Sequence, residues 1–232
     1  MRIEQPITQG KLIKRYKRFL ADVELDDGEL LTAHCPNTGS LKGCVPEGAR
    51  VVLRDSENPK RKLRWTFQTV EVDGTWVNVD TGLPNALVAE AIEQGKVKEL
   101  TGFDSLRREV KYGENSRIDV LLEQGDKKCY VEVKSTTLAE GKTAMFPDAV
   151  TERGRKHLIE LERMVAEGHR AVIFFCVSRG DVTNFTTADE IDPKYGETFR
   201  RVCTEGGVEA LAYSTKVGPD SFEIGKRLKI KF

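Results

Sequence analysis

The stretch RIDVLLEQGDKKCYVEVKST, residues 117–136, decides how the rest of the chain is read. Gly125-Asp126 suits a tight two-residue turn, and the flanking residues alternate as two strands of a β-hairpin. Ile118, Val120 and Leu122 form one face of the first strand, and Val131 and Val133 one face of the second. Side chains alternate with period two, so Asp119, Glu132 and Lys134 fall on the opposite face. A turn centred on Gly125-Asp126 sets Asp119 across from Glu132. A slip of two residues sets it across from Lys134, and a slip of one would bury the charges. Two carboxylates and a lysine on one sheet face can bind a hard divalent cation beside a phosphate. The lysine can hold an attacking water or stabilise charge on phosphoryl oxygens. The same three residues on a solvated antiparallel face would carry no chemistry, so the triplet alone does not decide.

The surroundings narrow the choice. The chain has 232 residues, 32% of them charged and 39% hydrophobic, with a formal net charge of zero. That is a globular composition, long enough for one large domain or two modest ones. Any nucleic-acid binding must therefore come from local patches rather than from overall charge. No apolar run suffices to span a membrane, and the first residues, MRIEQPITQGKLIKR, lack the apolar core of a signal peptide. The five cysteines (35, 44, 129, 176, 203) include no Cys-x-x-Cys, and the three histidines (34, 157, 169) are scattered. These features point to a reduced, cytoplasmic protein without structural zinc. They leave a homo-oligomer open.

Residues 1–82 read as a strand-rich unit. Candidate strands lie at roughly 12–25, 29–34, 49–54, 63–72 and 75–79, separated by turns such as Asp26-Asp27-Gly28 and Asp73-Gly74. Five short strands suit a small closed barrel of the OB type. Lys11, Lys14, Arg15, Lys17 and Arg18 bring five positive charges and no acid, with Tyr16 and Phe19 interleaved. Cations for phosphates and rings for bases are what single-strand binding uses. Trp65 and Phe67 suit the barrel core. The polar loop HCPNTGSLKG, residues 34–43 and including Asn37, could hold a phosphate through backbone N–H groups or simply connect two strands.

Residues 83–232 read as a second, α/β unit with a mixed sheet. Pro84–Gln94 fits a helix with Asn85 as a candidate cap. A strand at Leu106–Tyr112 leads into the hairpin, and 137–147 is irregular. A helix follows from about Ala149 to Ala166, with Asp148 as the candidate N-cap. Its buried stripe takes in Val150, Gly154, Leu158, Leu161 and Val165. Arg153, Arg155, Lys156 and His157 crowd its first half, and Arg153 and Lys156 are the candidates for phosphate contact. Ala171–Val177 (AVIFFCV) is a continuous apolar run, which fits a parallel strand buried on both faces. A helix at Pro193–Thr204 and strands at Val208–Tyr213 and Ser221–Phe232 complete the chain.

That order of elements, with Asp on one hairpin strand and Glu-x-Lys on the next, resembles the PD-(D/E)xK nuclease superfamily. The resemblance implies that Asp119 and Glu132 are ligands for Mg²⁺, with Mn²⁺ as a substitute, and that Lys134 assists the attacking water. It also implies a role for Glu90 from the first helix of the unit. Ile118 stands where the motif's name has proline. Five segments, AHCPNTGS (33–40), LPNALVAEAI (83–92), RIDVLL (117–122), YVEVKSTTL (130–138) and FPDAVTERGRKHL (146–158), are similar to the sugar fermentation stimulation protein family. This resemblance implies an OB-type domain followed by a nuclease-like domain. It further implies DNA binding of low sequence specificity and regulation of sugar (maltose) metabolism. Two readings of function result: a DNA-binding protein without turnover, and a metal-dependent nuclease acting on DNA or RNA.

Overall fold

The first six strands wrap around a single apolar cluster. The structure, a computed structural model, describes residues 1–112 and 116–232. These strands are β1 (Ile7–Tyr16), β2 (Leu20–Leu25), β3 (Leu30–His34), β4 (Arg50–Asp55), β5 (Trp65–Val72) and β6 (Thr75–Asn78). They lie in the order β3-β2-β1-β4-β5-β6, and a β3–β5 pairing at His34 and Thr66 closes β1 to β5 into an OB barrel. Leu12, Val23, Leu53, Phe67 and Val70 fill its interior, as alternation on closed strands requires. The single strand expected at 12–25 is two strands. Lys17 and Arg18 turn the chain with φ of 49° and 66°, left-handed values reached without glycine. The Arg15 guanidinium donates to the Arg18 carbonyl and holds that turn.

The second unit is a six-stranded sheet covered on both faces. Its elements begin with α1 (Pro84–Glu93) and a 3₁₀ turn at Lys98–Leu100, then β7 (Ser105–Tyr112), β8 (Ser116–Gln124) and β9 (Lys127–Thr136). Next come β10 (Ala139–Glu140), β11 (Thr143–Phe146), α2 (Glu152–Ala166), β12 (Arg170–Val177), β13 (Asn184–Thr187) and α3 (Pro193–Thr204). The chain finishes with β14 (Glu209–Val217), β15 (Phe222–Arg227) and β16 (Lys229–Ile230). The main sheet runs β15-β14-β12-β9-β8-β7. β12 is parallel to both β9 and β14 and buried on both faces, as its apolar run predicts. One face packs Leu87, Val88 and Ile92 of α1; the other packs Leu158 and Leu161 of α2 and Phe199 of α3.

Two local expectations are corrected. Residues 137–147 are not irregular: β10 and β11 pair with each other, and β11 runs parallel to β13, a strand the sequence did not signal. Helix α2 starts at Glu152, with Thr151 as the cap accepting the Gly154 N–H at 3.0 Å. Asp148 is instead committed to the barrel. Its carboxylate accepts from the Leu41 N–H at 3.0 Å and the Ser40 hydroxyl at 3.2 Å, and its carbonyl accepts from that hydroxyl at 2.8 Å. Gly39 fits here because a Cβ would stand 2.6 Å from the Asp148 carboxylate. Val150, outside the helix, is exposed rather than part of the buried stripe.

Candidate metal and nucleic-acid site

The β8–β9 hairpin adopts the register expected, and its ladder stops at the pair Val120–Val131. Beyond that point the strands part, and the Asp119 carboxylate fills the gap. Asp119 Oδ2 accepts the Val133 N–H at 2.7 Å, standing in for a backbone carbonyl. Its Oδ1 accepts from the Asn85 side-chain amide at 2.7 Å. The alternation breaks here too: Val120 and Leu122 pack toward α1, whereas Ile118 packs toward α2, so the three do not share one face.

Glu132 reaches the same opening from β9. It is only 2% exposed. Its Oε1 accepts from Lys134 Nζ at 2.7 Å and lies against His157 Nδ1 of α2. Lys134 Nζ is also 3.1 Å from His157 Nδ1. Arg153 Nε donates to His157 Nε2 at 3.4 Å, which assigns the ring proton to Nδ1, facing Glu132. Oε1 is thus doubly satisfied while Glu132 Oε2 is buried with no partner among the described residues. A buried carboxylate oxygen without a donor is costly and calls for one from outside the chain.

The two carboxyls are shifted in opposite directions. Burial, then the neighbouring Glu132 charge, pushes the Asp119 carboxyl up to about 6. Burial also opposes ionisation of Glu132, but the His157 hydrogen bond and the Lys134 ammonium outweigh it and hold that carboxyl below its ordinary value. The two acids face a cavity of about 600 Å³ rimmed by Arg117, Lys134, Arg153 and Lys156. Among the described residues no three His, Cys, Asp or Glu side chains close tightly enough to cage a metal unaided. Asp119 and Glu132 therefore fit a cation that keeps several waters and takes one or two carboxylates, as Mg²⁺ does.

The structure brings together Asp119, Glu132, Lys134, Arg153 and Lys156, and it does not bring Glu90. That carboxylate lies at the far side of α1, 2.8 Å from the N-terminal ammonium of Met1. The contribution of α1 is Asn85. Pro84 occupies the first turn of the helix, the N-cap residue is Leu83 with no capping side chain, and Asn85 bridges Asp119 to Glu109 Oε1 at 3.2 Å. Glu109, on the cavity wall, holds a left-handed φ of 55°. The barrel cations stand apart from the cavity and serve different ends. Lys11 is exposed on β1; Lys14 lies 3.8 Å from Asp22 and over the Tyr16 ring. Arg15 is consumed by carbonyls: those of Asn37, Gly39 and Ser40 accept from it at 2.8, 2.9 and 3.1 Å, beside that of Arg18. Asn37 is buried, with its side-chain oxygen on the Gly39 N–H. The loop 34–43 is thus a tie between the units rather than an open phosphate cradle. Lys17 and Arg18 remain at the exposed hairpin tip.

Three site residues escaped the sequence reading. His157 lies three residues after Gly154 and four before Leu161, on the buried stripe of α2, and a polar residue on such a stripe is a usable signal. Asn85 was concealed by its suitability as a cap. Glu109 left no signal, because its place depends on a backbone conformation that its sequence does not favour.

This geometry defines a class: an OB barrel joined to a mixed-sheet α/β domain, with paired acids and a lysine where two strands part. Comparison with known proteins gives the family. Residues 13–79 match the model of the SfsA N-terminal OB domain, and residues 82–221 that of the sugar fermentation stimulation protein RE domain. The chain is 55% identical to the sugar fermentation stimulation protein homolog of Geobacter sulfurreducens over 99% of this chain and 98% of that one. It is also 55% identical to the homolog of Pelobacter propionicus, covering 97% of each. A solved structure of Pyrococcus furiosus SfsA in complex with Ca²⁺ superposes with a TM-score of 0.88 at 28% identity, covering both chains completely. The chain belongs to the sugar fermentation stimulation protein family.

Proposed function

We propose that this protein binds nucleic acid, DNA foremost, with little regard to sequence, and hydrolyses its phosphodiester bonds at the Asp119–Glu132 site with Mg²⁺ or Mn²⁺. The observation that carries this reading is the buried Glu132 Oε2, without a partner among the described residues, beside Asp119 in a cavity rimmed with cations. Asp119 and Glu132 hold the ion. Bound there, the ion supplies Lewis-acid polarisation of a phosphoryl oxygen and lowers the pKa of a water. His157 and Lys134 fix Glu132 by its other oxygen, as outer partners of a metal ligand do. Lys134, at the cavity wall, orients the attacking water and faces charge developing on the phosphate. Arg117, Arg153 and Lys156 receive the flanking phosphates. Pyrococcus furiosus SfsA was solved in complex with Ca²⁺, which supports divalent-cation binding in the family. Five free thiols agree with a reducing, cytoplasmic setting. On this reading any influence on sugar (maltose) metabolism runs through nucleic acid.

The test incubates purified protein with plasmid, single-stranded DNA and RNA in Mg²⁺, Mn²⁺ or EDTA. Cutting should need the metal and should fall about 100-fold or more in Lys134→Ala and Glu132→Gln, with nucleic-acid affinity retained. Equal cutting by Lys134→Ala would assign the activity to a contaminant. No cutting of any substrate would leave the binding role alone.

A further inference from the structure

The seam between the barrel and the α/β unit holds a second cavity that the catalytic reading does not use. It measures about 370 Å³ and is lined by residues of both units, among them Arg18, Thr38, Thr137, Met145, Phe146 and Val150. Two straps keep it open and in place. The Arg15 guanidinium binds the hairpin tip to the loop at Asn37–Ser40, and Asp148 binds that loop to the approach of α2. Thr81 and Ser135 line this groove and the Asp119–Glu132 cavity alike, so the two are immediate neighbours.

We infer that the seam groove receives an unpaired nucleobase next to the scissile phosphate, so that the preferred substrate is single-stranded or carries a single-stranded segment. The inference rests on the nucleic-acid reading given above. The walls have the right chemistry. Met145 and Phe146 offer apolar surface, and the Thr38 and Thr137 hydroxyls offer edge hydrogen bonds, the combination that reads an unstacked base. Of the large apolar side chains left exposed, Val150, at 68%, stands on the groove wall, and Phe19, at 47%, follows Arg18 in the chain at the hairpin tip beside the groove. The Arg18 side chain makes no hydrogen bond or ion pair among the described residues, leaving its guanidinium for a phosphate. Bases inside a duplex are stacked and paired, and cannot enter such a groove without leaving the helix.

The experiment measures fluorescence anisotropy of the full chain in EDTA, with labelled oligo(dT), oligo(rU) and a blunt duplex of equal length. Single strands should bind more tightly than the duplex. Phe19→Ser and Val150→Asp, both at exposed positions, should each weaken binding of at least one single strand about fivefold or more while leaving duplex binding unchanged. Abasic nucleotides in the oligomer should cause a similar loss in the natural protein. Equal affinity for duplex and single strands, or variants that bind both single strands as the natural protein does, would overturn the inference. Because EDTA prevents cutting, the outcome is separate from the plasmid test. Base capture without cleavage would sink only the nuclease reading, and cutting of blunt duplex by the natural protein as fast as of single strands only the groove.

Discussion

Asn85 donates its side-chain amide to Asp119 Oδ1 at 2.7 Å, tying the first turn of α1 to the strand that opens the site. A half-buried carboxylate depends on such donors for its position. Asn85→Ala should slow metal-dependent cleavage about 10-fold and cost about 1–2 kcal/mol of stability. Asn85→Asp should do more harm, because a like charge then faces Asp119 and Glu109. Cleavage rates and thermal melts of both variants give the check.

Asp119 sets stability against function. Its carboxyl is raised to about 6, above its ordinary 3.8, by burial first and Glu132 second. A raised carboxyl binds its proton more tightly in the folded state, so the penalty is absent below about pH 4, grows to about pH 6 and is complete above it. Asp119→Asn removes the charge and should stabilise the protein by about 2 kcal/mol at neutral pH, roughly 5 °C in Tm, with the gain vanishing near pH 4. Saturating Mg²⁺ should raise the Tm of the natural protein and leave the variant's unchanged. A Tm of Asp119→Asn that stays at or below the natural value at neutral pH would refute this account.

Cations at the cavity should contribute through phosphates rather than sequence. Arg153→Ala and Lys156→Ala should each weaken DNA binding by a similar factor on unrelated sequences and reduce the slope of log affinity against log salt by about 1. Titrations at several salt concentrations measure this directly. Lys156, itself largely exposed, also lies 3.5 Å from the buried Glu160 on the same helix, and a thermal melt of Lys156→Ala separates any loss of stability from loss of binding.

Asp148 should matter to the whole molecule although it does not line the Asp119–Glu132 cavity. Asp148→Ala deletes the acceptor shared by Ser40 and Leu41 and should cost about 2–4 kcal/mol. Denaturant unfolding gives the magnitude. Limited proteolysis should show earlier cutting in the loop 34–43 than in the natural protein.

The sequence made some of this legible because some residues obey local rules. The Gly125-Asp126 turn and the alternation from Val120 to Val131 specify the hairpin register, and the apolar run of β12 specifies a buried parallel strand. Asp119, Glu132 and Lys134 were visible for the same reason. What could not be read depends on distant partners. Lys17 and Arg18 form a turn because Arg15 holds it, so the strand seemed continuous. Asn85 and Asp148 both carry the chemistry of a helix cap, yet tertiary acceptors and donors claimed them elsewhere. Glu90 was placed by analogy of position, but helical periodicity carries it well around α1 from Asn85 and toward the amino terminus.

The fate of Arg15 bears on how any mutational scan of this protein should be interpreted. Its guanidinium accommodates four carbonyl groups at once, a fan of acceptors that a lysine ammonium cannot reproduce. Arg15→Lys preserves every charge on the barrel and still slackens the tip bearing Arg18 and Phe19. A loss of DNA affinity in that variant, with every charge kept, would be architectural in origin, whereas charge counting would credit it to a phosphate contact.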